Sequence, residues 1–141
     1  MHTKTQTEET SARTERRRYP RLQKQTKVLT GKVTYPIDED NFVTGNSENI
    51  SLGGILMHTG QAFEEGALVQ LKITLPGWHK HHPGFMKVLE DSIGSPMTAI
   101  CEVLRCEKKG GDYTTAARFI NIDPDDFVAF QNYIEKQLNK N

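Results

Sequence analysis

Apolar side chains are scarce at the N-terminus of this chain, where Met1 and Ala12 are the only two among the first fifteen residues. A segment with so little apolar surface cannot offset the entropy of ordering it, so residues 1–15 are expected to be a disordered tail. The same scarcity leaves no core for a secretory signal. No later stretch approaches the roughly 20 apolar residues of a membrane span, and a soluble, cytoplasmic protein is the expectation. Cysteine is equally sparse. Cys101 and Cys106 lie five apart in one predicted strand, and an odd offset sets them on opposite faces, which argues against a disulfide. No internal repeat and no second domain are visible, so residues 16–141 are read as one domain, long enough to close a single core.

An excess of charge is also missing, since 18 Lys and Arg balance 18 Asp and Glu. The balance hides an asymmetry. Residues 1–27 hold eight Lys or Arg against three Glu, a surplus of +5, and residues 28–141 hold ten against fifteen acidic residues, a deficit of −5. Basic charge gathered beside the start of the fold favours an anionic partner such as phosphate, nucleic acid or a membrane surface.

What the chain does contain is strand after strand. Tyr19-Pro20 biases the backbone toward an extended path, which puts the run Arg16-Arg17-Arg18 and Arg21 on a loop or entry strand. Alternation of apolar and polar residues predicts strands over Thr26–Tyr35, Phe42–Ile50 (interrupted at Gly45-Asn46) and Leu68–Leu75, with a short one at Ile55-Leu56-Met57 after Gly53-Gly54. Pro76–Pro96, with Trp78 and three histidines, reads as a long hairpin connection. Met97–Glu107 and Tyr113–Ile120 follow as strands around a turn at Lys108–Asp112.

The period then changes. Asp123 suits an N-cap, Pro124 the first helical position, and Asp125 and Asp126 the positive end of the helix dipole. Ile122 and Phe127 stand where a hydrophobic staple would pair them, and Phe127, Phe130, Ile134 and Leu138 make one stripe. The predicted fold is mainly β: a small antiparallel six-stranded barrel with a C-terminal α-helix.

Two short patterns carry chemistry. Arg17 and Arg21 fit Arg-x-x-x-Arg, and Asn49, Ser51 and Gly54 fit Asn-x-Ser-x-x-Gly. In this order, separated by a strand-length stretch, they resemble the signature of the PilZ domain family, bacterial receptors for the second messenger cyclic di-GMP. The resemblance extends over about residues 15–138, because the order of strands and closing helix also matches.

It implies a non-enzymatic receptor without cofactor or metal. Its loop arginines would fold over the nucleotide, while Asn49, Ser51 and Gly54 meet it from the barrel. Asn49 stands where many family members carry Asp, which removes a charge from any contact to purine N1. Arg16 occupies a position that in this family influences whether one ligand or a stacked pair is held. The residue types suit the task, since a guanidinium forks onto a phosphate or a guanine O6/N7 edge, as a lysine cannot. Output would pass through an unidentified downstream protein, in motility, adhesion or exopolysaccharide control.

Other readings are weaker. A single-stranded nucleic-acid-binding barrel with a basic arm is disfavoured because stacking aromatics do not recur on the strands and the barrel is acidic. A ligand-free PilZ-like protein-interaction adaptor would not require both motifs. Ser51 has no His or Asp nearby in sequence for nucleophilic work. His79, His81 and His82 lack Cys or acidic partners at a metal-binding spacing and read as an exposed polar loop. Arg118, beside Phe119 on the last strand, faces either the site or the solvent, and periodicity does not decide which.

Overall fold

In the computed structural model, residues 20–34, 36, 39–81 and 96–139 are described, with the backbone alone at 39 and 79. Among the described residues, six strands, β1 (Lys27–Lys32), β2 (Val43–Ile50), β3 (Gly54–Thr59), β4 (Leu68–Ile73), β5 (Met97–Lys109) and β6 (Asp112–Ile122), precede a C-terminal α-helix, α1 (Pro124–Leu138). Neighbours pair antiparallel in the order β1-β2-β3-β6-β5-β4, and β4 returns to β1, so the sheet closes into a barrel. The expected six-stranded barrel with its C-terminal helix is therefore the fold. The expected tail 1–15, together with Arg16, Arg17, His82 and the side chain of His79, lies outside the described residues.

Alternation builds the interior. Val69, Leu71 and Ile73 of β4 are fully buried, as are Val28, Ile50, Met57 and Met97 from the neighbouring strands. β2 does not break at Gly45-Asn46 as expected. Glycine there allows close packing, because a Cβ on Gly45 would lie 2.3 Å from the His58 carbonyl oxygen of β3. The hairpin between β5 and β6 is tighter than expected: Lys109 pairs with Asp112, so the turn is Gly110-Gly111, and Gly110 takes the positive φ of 61° that a type II′ turn requires.

A bulge corrects the placement of the cysteines. The register of β5 against β6 shifts between Val103 and Arg105, so one extra residue reverses the in–out parity. Cys106 thereby turns to the same face as Cys101, and its sulfur accepts a hydrogen bond from the buried Thr115 hydroxyl at 3.3 Å. Both thiols remain free.

Asp123 caps α1 as its sequence requires, its Oδ2 accepting from the amides of Asp125 (3.1 Å) and Asp126 (3.3 Å). The buried face is centred on Ala129, Phe130, Tyr133 and Ile134, rotated from the expected stripe; Phe127 and Leu138 are only half-buried. Phe130 meets Phe119 of β6 edge to face at 5.6 Å, and Tyr133 meets His81 in the same manner at 6.4 Å. Trp78 and Leu75, at the start of the Pro76–Pro96 connection, join the core rather than forming an open loop.

Candidate functional site

Residues 20–26, ahead of β1, are fastened to the barrel. Leu22 and Ile50 form an antiparallel bridge, the Leu22 amide donating to the Ile50 carbonyl at 2.7 Å and the reverse bond measuring 2.8 Å. Buried Ser47 fastens the same arm nearer β1. Its hydroxyl accepts from the Thr26 amide at 3.0 Å and donates to the Lys24 carbonyl, while its own amide donates to the Thr26 carbonyl at 2.9 Å. An antiparallel bridge sets the flanking residues opposite each other, so exposed Arg21 stands beside Ser51, and Gln23 beside Asn49.

Asn49 owes its direction to a second bulge. The register between β2 and β3 shifts between Ser47 and Asn49, so Glu48 is the extra residue. Without it Asn49 would share the inward face of Ser47. With it Asn49 pairs with the half-buried Leu56 on the outer face, and Ile50 between Asn49 and Ser51 is the buried anchor. Glu48 itself reaches His58 at 3.3 Å across the strands.

The turn from β2 to β3 is held by Ser51 and bounded by Gly54. The Ser51 hydroxyl accepts from the amides of Gly53 (3.2 Å) and Gly54 (3.3 Å), and the Ser51 amide donates to the Gly54 carbonyl at 2.9 Å. This is the work of a turn serine, done entirely within the turn. Gly54 likewise answers to packing, because a Cβ there would lie 2.4 Å from the Ala117 carbonyl oxygen of β6. The Phe119 amide donates to the Gly53 carbonyl at 3.0 Å, which stitches the turn to β6 on the side away from the arm.

Arg21, Asn49, Ser51 and Gly54 thus come together on one outer patch. Two neighbours were not legible in the sequence patterns. Arg118 pairs directly with Gly54 across β3 and β6, is exposed, and gives its Nε–H to Glu102 Oε1 at 2.6 Å. A groove of about 530 Å³ opens beside the turn, lined by Leu52, Gly53, Phe119, Ile122, Pro124 and Phe127 among others. The first could be placed only by strand register, the second only by the docking of α1.

Among the described residues no group of His, Cys, Asp and Glu is placed to hold a metal ion. No described helix is long and apolar enough to cross a membrane.

No curated protein matches the sequence. Several solved structures share the fold. The Bacillus subtilis inhibitor of motility MotI/DgrA is 22% identical with a TM-score of 0.60, over 86% of this chain and 51% of that one. The PilZ domain with c-di-GMP of YcgR from Escherichia coli is 17% identical with a TM-score of 0.58, over 89% of this chain and 93% of that one. MrkH, described as a c-di-GMP-dependent transcription regulatory factor, is 13% identical with a TM-score of 0.61, over 89% of this chain and 52% of that one. The chain therefore spans about half the length of MotI/DgrA and of MrkH. At such identities these structures speak for the fold. The sequence itself matches the family model of the PilZ domain over residues 15–136, and the chain belongs to the PilZ domain family.

Proposed function

We propose that this chain is a non-enzymatic receptor for cyclic di-GMP, with Arg16, Arg17 and Arg21 closing over a nucleotide that rests on Asn49, Ser51 and Gly54. The observation that carries the reading is the Leu22–Ile50 bridge, which sets Arg21 beside Ser51 although 30 residues separate them in sequence. Arg17 lies four residues upstream, and a chain of that length spans at most about 14 Å, so both arginines are within reach of one ligand. A basic arm against an acidic barrel draws an anion to the seam between them.

Binding orders the arginine segment against the barrel and so changes the surface offered to a downstream protein. MotI/DgrA, an inhibitor of motility, and MrkH, a c-di-GMP-dependent transcription regulatory factor, carry this fold toward different outputs.

The adaptor reading has one observation in its favour: Ser51 and Gly54 are both explained by the turn and by packing on β6. Calorimetric titration with cyclic di-GMP decides. The receptor reading expects binding that Arg17→Ala and Arg21→Ala each weaken about tenfold or more, the worth of one charge-assisted pair. Absence of heat at tens of micromolar ligand gives the adaptor reading instead.

A further inference from the structure

The patch does not end at Gly54. Crossing the strands on the outer face, Arg21 flanks Ser51, the Ser51 amide bonds the Gly54 carbonyl, Gly54 pairs with Arg118, and Arg118 pairs with Glu102. At a strand spacing of about 4.8 Å, Arg118 stands roughly 10 Å from Ser51 and roughly 15 Å from Arg21. Between the two arginines the surface is low, made of one small side chain and one glycine that has no room for a Cβ. The Arg118 side chain is 55% exposed.

Resting on the receptor reading above, we infer that Arg118 is a further ligand-binding residue at the far side of the same site, held in reserve by Glu102. The chemistry fits a dinucleotide ring, whose phosphates and guanine edges are distributed over its length, so that a cation at each side of a flat floor engages both halves. Glu102 takes Nε alone, which leaves four Nη–H donors in a fixed fork for a phosphate or for guanine O6/N7. Glu102 lies on β5, beyond β6 as seen from Gly54, and so draws the guanidinium away from the patch. An exposed pair of this kind is weak enough for an anionic ligand to displace or share it.

The test is a set of calorimetric titrations of the full chain with cyclic di-GMP. Arg118→Ala is expected to weaken binding about tenfold. Arg118→Gln, which keeps the stem and a polar tip without the charge, serves as the second variant should the first fail to fold. Lys108→Ala, near the β5–β6 hairpin tip, controls for loss of one positive charge and is expected to leave binding unchanged. Glu102→Gln is expected to tighten binding about twofold to fivefold, and that gain is expected to vanish in the double variant with Arg118→Ala, because Glu102 acts through Arg118.

If the unaltered chain binds and the Arg118 variants bind within twofold of it, Arg118 is no ligand residue and the receptor reading stands. Equal weakening by Lys108→Ala reduces the effect to general charge and overturns the inference. A gain from Glu102→Gln that survives in the double variant overturns the reserve role. If the unaltered chain shows no binding, the receptor reading itself is lost and this inference with it.

Discussion

At the scale of single residues, the family pattern on this barrel carries two kinds of demand. Gly54 is fixed by the Ala117 carbonyl 2.4 Å from where its Cβ would be, whatever the ligand. Gly54→Ala is therefore expected to cost about 1–3 kcal/mol of stability through forced backbone movement, read as a lower urea midpoint in the absence of nucleotide. An unchanged midpoint would mean that the β3–β6 approach relaxes without cost. Ser51→Ala removes the hydroxyl that two turn amides share, so a loss of ligand binding in that variant is open to two causes. Arg21 is the cleaner probe. It is exposed and held in place by its backbone neighbour Leu22, so removing its side chain leaves the bridge intact.

At the scale of elements, the helix was the most legible part, because its signals are local. Asp123, Pro124 and the acidic first turn announce where α1 begins, and the capping bonds follow. Asp123→Ala is expected to lower stability by about 1 kcal/mol, measured by urea denaturation; Asp123→Ser, which restores a capping oxygen, is expected to recover most of it. Strand existence was legible too, through alternation. What alternation could not give was parity across a bulge. Glu48 and Leu104 each insert one residue, and each reverses the face of everything after it, turning Asn49 outward and Cys106 inward. A bulge is a property of two paired strands, so one strand read alone does not display it. For the same reason the motifs gave Arg21, Asn49, Ser51 and Gly54 while Arg118 became placeable only through its partners on β3 and β5.

At the scale of the whole molecule, three described groups, Cys101, Tyr133 and His81, make stability depend on pH. Burial pushes the Cys101 thiol up from 9.0 to about 12. The unfolded chain then releases its proton above about pH 9 while the folded protein keeps it, so this stability is fully present below pH 9 and is lost between 9 and 12, by up to about 1.4 kcal/mol per pH unit. Burial raises Tyr133 in the same sense. On the acid side, desolvation, and then the charges of Lys136 and Lys80, lower His81 from 6.5, so its contribution is present above pH 6.5 and fades as the pH falls through its folded value. A plateau between about pH 6.5 and 9 is expected when urea midpoints are followed against pH. Cys101→Ala should lower the plateau through a small cavity yet flatten the decline just above pH 9. An alkaline decline equally steep in that variant would remove Cys101 as its cause.

Closure of the barrel reaches beyond stability. Among the described residues, a ring in which β4 returns to β1 leaves none of its six strands at an edge along which another chain could extend the sheet. A partner of this ring then recognises side chains on its outer face, on the loops or on the helix. Side chains change one at a time by mutation, whereas backbone templates do not. Such a domain can exchange one partner for another over evolutionary time while every strand keeps its register.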